Sequence, residues 1–131
     1  MKKILSILGC IIVLFAASSC TKQYITPNPN QTISFTVPQS AWASTDGGKT
    51  FSAVLNTPEI DTYFTNHGGV LVYFSFTNGV YEQVPETYQG ISYSYTYNQG
   101  SLALYAQASD GVSVIQAPAT SIVKLVLVPS N

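Results

Sequence analysis

Arginine is absent from this 131-residue chain, and with it the usual means of gripping a polyanion. Proteins that bind nucleic acid neutralise its phosphates with clustered Lys and Arg. Here five lysines are thinly spread, and Lys2 and Lys3 lie at the extreme N-terminus. No nucleic-acid partner is expected. Histidine occurs once, as His67, and cysteine twice, as Cys10 and Cys20. Zinc sites draw three or four ligands from His, Cys and carboxylates at recurring spacings, and those spacings are missing; no metal or other cofactor is expected. Beyond residue 20 there is no thiol for a disulfide. Packing alone must hold the fold.

What is present opens with MKKILSILGCIIVLFAASSC. Lys2 and Lys3 form a positive n-region. Ile4 to Ala17 is an uncharged apolar run, shorter than the roughly 20 residues that span a bilayer. Ala17-Ser18-Ser19-Cys20 resembles the lipobox of bacterial lipoproteins, in which small residues precede a cysteine that receives diacylglycerol. Residues 1–19 then read as a cleaved signal peptide, with acylated Cys20 as the first mature residue. Ile7-Leu8-Gly9-Cys10 has a similar local form. Cutting there would leave only Ile4 to Gly9 as h-region, below the roughly 7–15 residues required. An uncleaved anchor is the rival reading, disfavoured by the short apolar run.

Lipid contributes about 0.8 kcal/mol per buried methylene, and a lasting anchor takes more than one chain. The membrane is therefore the first expected partner, through Cys20. Thr21-Lys22-Gln23 lacks the aspartate that commonly retains lipoproteins in the inner membrane of diderm bacteria, and lacks the acidic run frequent in surface-exported ones. The expected address is the outer membrane, facing the periplasm, with surface exposure as the alternative.

Removing nineteen residues leaves 112, the length of one domain with one core. Its side chains carry three lysines against Asp46, Glu59, Asp61, Glu82, Glu86 and Asp110. Residues 20–31, with two prolines and two asparagines, read as a lipidated tether, and 32–131 as the domain.

Gln31 to Val37 alternates with the period of a half-buried strand. Ala41 to Ser44 and Thr50 to Leu55 flank Asp46-Gly47-Gly48, a hairpin signature. Thr57-Pro58-Glu59 reads as a helix start with Thr57 as N-cap, giving one or two turns from Pro58 to about Asn66. Gly69 to Thr77 is nearly continuously apolar, which predicts a central strand covered on both faces. Asn78-Gly79 predicts a type I′ turn into Val80 to Val84, and Pro85 to Gly90 a loop. Ile91 to Tyr97, Ser101 to Gln107, Val112 to Gln116 and Ser121 to Val128 complete the predicted strands. The pattern predicts an all-β fold, an antiparallel, immunoglobulin-like β-sandwich of about seven to eight strands with one short helix; a partly closed barrel is the alternative.

The signal and lipobox, TVPQSAW, TPEI, GGVLVYFSF, VPETY and KLVLVP together resemble a group of small, uncharacterised lipoproteins of Bacteroidota. The resemblance spans nearly the whole chain. It implies a compact β-domain on a lipid anchor and carries over no activity, with Cys20 as the functional residue.

No enzymatic constellation stands out. His67 falls at the predicted helix end, where interaction with the helix dipole accounts for it. There is no G-x-S-x-G elbow. Glu82 and Glu86, the nearest thing to a carboxylate pair, are expected to diverge into solvent across a strand end and a proline. Asp46 and Asp110 precede glycine, as tight turns favour. The enrichment that bears on function is aromatic. Trp42 and the stripe Tyr93, Tyr95 and Tyr97 offer flat faces with polar tips that suit partners or sugars, although cross-strand packing in the core is the plainer reading. The expectation is a non-enzymatic interaction or structural module of the cell envelope with a protein or glycan partner. The alternative is a carbohydrate-binding module using exposed Trp42 and tyrosines.

Overall fold

The computed structural model describes residues 29–130. The predicted signal peptide, the lipidation site Cys20 and the tether as far as residue 28 lie outside the described residues. The chain forms β1 (Gln31–Val37), β2 (Thr50–Asn56), α1 (Thr62–Asn66), β3 (Gly69–Thr77), β4 (Val80–Val84), β5 (Glu86–Tyr88), β6 (Ile91–Asn98), β7 (Ser101–Ala108) and β8 (Ser121–Val128). Two four-stranded antiparallel sheets result, in the orders β1-β8-β3-β4 and β2-β7-β6-β5. The architecture is an all-β sandwich and not a closed barrel.

Period-two patterning builds the core. Val123, Leu125 and Leu127 of β8 and Val70, Val72 and Phe74 of β3 face Leu102, Leu104 and Ala106 of β7, and all nine are buried. β6 turns Ile91, Tyr93, Tyr95 and Tyr97 to the same interior, while Ser94 and Thr96 on its other face are exposed. The tyrosine stripe is thus core. Tyr95 goes further and ties the sheets together, its hydroxyl donating to the Val70 carbonyl of β3 at 2.6 Å. A phenol in a core requires such a partner. Tyr95→Phe should therefore lower stability by about 0.5–1.5 kcal/mol, read from the urea midpoint; an unchanged midpoint would mean this bond contributes nothing.

Several sequence expectations are corrected. β3 is interior to its sheet but fully covered on one face only: on the other, Ser75 is buried while Leu71 and Tyr73 are half-buried, shielded by side chains of flanking strands. Among them Lys124 sits over the rings of Tyr73 and Tyr81 at 4.9 and 4.2 Å. The β3–β4 turn is not type I′, because Gly79 has positive φ and Asn78 does not. The loop expected over 85–90 contains β5, and Gln89-Gly90 is the turn with φ positive at both positions. Ala41–Ser44 is no strand. A 3-10 turn spans Gln39–Ala41, and a single bridge joins Ala43 to Ser52.

The helix starts later than Thr57. Thr57 to Ile60 forms a tight turn that drives Ile60 fully into the core, and only then does Asp61 cap α1 by accepting from the Phe64 N–H at 3.1 Å. Burying Ile60 outweighs the earlier cap. Val112–Gln116 is not a strand either. The Asp110 carboxylate accepts the N–H groups of Val112 and Ser113 and the Ser113 hydroxyl, curling the chain and leaving Val112 and Val114 69% and 66% exposed.

Candidate functional site

β1 pairs with β8 along its whole length, Gln31 opposite Leu127 and Val37 opposite Ser121. Seven residues at about 3.3 Å each separate the two ends of the sandwich by roughly 20 Å. At the end where the described chain begins, Tyr63 of α1 donates to the Ser130 carbonyl. At the opposite end lies the larger cleft, about 500 Å³.

Four pieces of chain wall this distal cleft: Gln39 after β1, Phe76 near the end of β3, Tyr88 to Tyr93 across the β5–β6 turn, and Gln116 to Ser121 leading into β8. Gln39 braces the last piece, its side-chain Nε2 donating to the Ala117 carbonyl at 2.8 Å and its backbone N–H to Thr120 Oγ1 at 3.2 Å. The aromatic side is a ladder of near-parallel rings. Phe74 and Phe76 lie 5.4 Å apart at 13°, and Phe76 and Tyr88 4.3 Å apart at 5°. Tyr93 leans on Phe76 at 4.8 Å. Burial pushes the Tyr93 phenol above its ordinary pKa, with further upward contributions from Tyr88 and Glu86, so it stays a neutral donor. No lysine, aspartate, glutamate or histidine lines the cleft.

Of the candidate contact residues Trp42, Tyr93, Tyr95 and Tyr97, only Tyr93 borders this site. Trp42 is 6% exposed and packs against Phe74 at 6.4 Å, and Tyr95 and Tyr97 face the core. The exposed platform of Trp42 and tyrosines is corrected accordingly: Trp42 is buried, and Tyr95 and Tyr97 are half-buried against the core. His67 lies at the C-terminal end of α1, as expected, beside Tyr63, and is exposed. Asp46 accepts from the Thr50 N–H and the Ser44 hydroxyl. The Asp110 carboxyl is held down at about 2, chiefly by the Ser113 hydroxyl and then by the Ser113 and Val112 N–H groups. Both aspartates shape turns.

Glu82 and Glu86 do not diverge. Glu82 is opposite Phe74, and Glu86 opposite Tyr93, so both inherit the inward direction of buried partners at the β4 and β5 edges. Oε1 of Glu86 is closed off from solvent without a hydrogen-bond partner. Desolvation, and secondarily the Glu82 charge, push the Glu86 carboxyl above its ordinary range. The folded state then binds this proton more readily than the unfolded chain. Its stabilising effect is complete below the ordinary carboxylate pKa of about 4.3 and is lost as pH rises through the raised value. Glu86→Gln should be more stable than wild type at neutral pH, with the difference vanishing below about pH 4. Parallel urea titrations at both pH values check this, and a constant difference would contradict it. Neither carboxylate lines the cleft.

Among the described residues no helix is long and apolar enough to cross a membrane, and no three His, Cys, Asp or Glu side chains group as a metal site. No family model, curated protein or solved structure matches the chain.

The residues that the sequence reading missed are Gln39, Gln89 and Gln116. Gln89-Gly90 sits between Glu86–Tyr88 and the alternating run from Ile91, and an X-Gly pair in that setting is a two-residue hairpin signal. Nothing local marks Gln39 or Gln116.

Proposed function

We propose that this protein is a lipid-anchored, non-enzymatic binding module of the cell envelope, tethered through Cys20 and contacting its partner with the distal cleft. The observation that carries the reading is the position of the cleft, at the end of the sandwich opposite Gln31, where the tether joins. A domain held at one end presents its other end. The signal and lipobox support the anchor, the residues after Cys20 support the outer membrane and its periplasmic face, and the resemblance to small lipoproteins of Bacteroidota agrees with both. A cleft without an acid, base or nucleophile of shifted reactivity other than a phenol favours binding over catalysis.

Metabolic labelling with an alkyne fatty acid should mark the wild-type chain and leave Cys20→Ala unmarked and outside the membrane fraction. Label persisting on Cys20→Ala would refute the anchor. Protection from added protease on intact cells, lost on permeabilising the outer membrane, is the result expected for the periplasmic face. A photoreactive residue in place of exposed Thr120 at the cleft should give envelope adducts that the same residue in place of exposed Ser94 does not. Equal adducts from both positions would remove the cleft from the reading.

A further inference from the structure

We propose that the distal cleft is a binding site for a neutral saccharide. This assignment rests on the cleft being the contact surface of the domain, and it names the chemistry of what is bound there.

The cleft is of a size typical of small-ligand sites, about 500 Å³ within the usual range of roughly 300–1,000 Å³. Its polar side chains are all uncharged. Gln89 and Gln116 each bring a primary amide, Gln39 brings the remaining capacity of an amide that already donates to the Ala117 carbonyl, and Thr120 and Ser121 bring hydroxyls, the first accepting from the Gln39 N–H and the second donating to the Ala119 carbonyl. An amide donates two hydrogen bonds and accepts others, and a hydroxyl does both. Vicinal sugar hydroxyls, which also donate and accept, are the matching chemistry. An anionic or cationic ligand would meet no opposite charge on these walls, and burying a charge without a partner is costly.

The aromatic wall supplies the second half of sugar recognition. Phe76 covers one face of Tyr88, and the rest of that half-buried ring borders the cleft. A pyranose presents a C–H face that packs on such a ring while its hydroxyls reach the amides.

Gln89 adds an independent observation. It is the one described residue other than glycine with positive φ, 50°. A turn with both central residues in this region is served best by Asn-Gly or Gly-Gly, and a longer side chain there is strained. Strained positions of this kind gather at ligand sites. Local geometry does not call for glutamine, but a cleft that needs its amide does; at present Nε2 points to the Tyr88 hydroxyl at 3.3 Å.

The test is calorimetric titration of the full chain, extracted in detergent, with glucose, galactose, mannose, N-acetylglucosamine and their oligomers, and with a glucuronate oligomer as the charged control. Saturable binding of at least one neutral saccharide is expected. Gln116→Ala, at an exposed position, and Gln89→Gly should each weaken it about tenfold, the scale of one lost hydrogen bond. Gln89→Gly should at the same time raise the urea midpoint by relieving the backbone, which separates lost binding from lost folding. No saturable heat with any neutral saccharide would overturn the proposal. So would binding that both variants leave intact, or binding of the glucuronate oligomer alone. The titration does not depend on lipid, so a failed fatty-acid label would refute the anchor and leave this result standing.

Discussion

Phe74→Ala should cost about 3–5 kcal/mol, the largest effect of any substitution discussed for this domain. Phe74 is completely buried in β3 and touches three other rings: Trp42 at 6.4 Å, Phe76 at 5.4 Å and Tyr93 at 5.3 Å. Phe76 and Tyr93 belong to opposite sheets and Trp42 to the connection between β1 and β2, so they cannot close over a lost phenyl without moving the sheets together. A cavity is left, and its cost adds to the lost transfer free energy. With no disulfide to support it, a domain of this length has a total stability of about 5–15 kcal/mol. The loss is therefore a large share of what there is, equivalent to a Tm fall on the order of 10 °C or more. Val54→Ala is the control. Val54 is 69% exposed on β2, and its truncation should change stability by no more than about 0.5 kcal/mol. Urea unfolding of the three proteins decides. A Phe74→Ala cost near that of Val54→Ala would mean that the two sheets do not pack as described.

Gly68→Ala and Gly69→Ala, one position apart, should move stability in opposite directions. A methyl on Gly68 would lie 2.7 Å from Phe64 Cδ1 and 2.8 Å from the Val128 carbonyl oxygen. The carbonyl belongs to the end of β8 and cannot rotate aside as a side-chain tip can. Phe64 is itself buried. Gly68 is where the end of α1 comes down onto the sheet, and that approach leaves no room for a Cβ. Overpacking of this kind costs about 1–3 kcal/mol. At Gly69 a methyl meets nothing within 4 Å, and φ is not positive. Alanine there restricts only the unfolded chain and should stabilise by about 0.4–1 kcal/mol. The sign of the difference is the check, again from urea midpoints. Two equal losses would show that α1 does not approach the end of β8 this closely.

Most strands were legible in the sequence: QTISFTV and ISYSYTY alternate with their apolar residues inward, and SLALYAQ and SIVKLVLV bury every second residue, Leu102, Leu104 and Ala106 and Val123, Leu125 and Leu127, although Tyr105 and Ile122 lie on the outer face. Patterning misled where apolar residues served another purpose or none. GVLVYFSF looked doubly buried, yet Leu71 and Tyr73 are covered only by neighbouring side chains on the outer face. Val112 and Val114 alternate like a strand, but the Asp110 carboxylate captures the local N–H groups, and local hydrogen bonds of this kind compete with strand pairing. The candidate site was less legible than the fold. Gln39 and Gln116 are 77 positions apart in sequence, and they line one cleft because β1 and β8 are neighbours.

By itself the sequence determined the all-β class, most strand positions and the sharing of one strand face by the tyrosine stripe, because a period of two is a property of the local backbone, whereas the turning of that face to the core was decided by the structure. It also set the absence of any disulfide in the domain, since no cysteine follows residue 20. Only the tertiary structure decided that Trp42 is enclosed, that Glu82 and Glu86 turn toward one another's edge, and that glutamines from distant segments share the end of the sandwich away from Gln31. Those outcomes depend on which strands pair and which sheet faces which. Strand pairing is set by the combined burial of all eight strands, and no single segment carries that information.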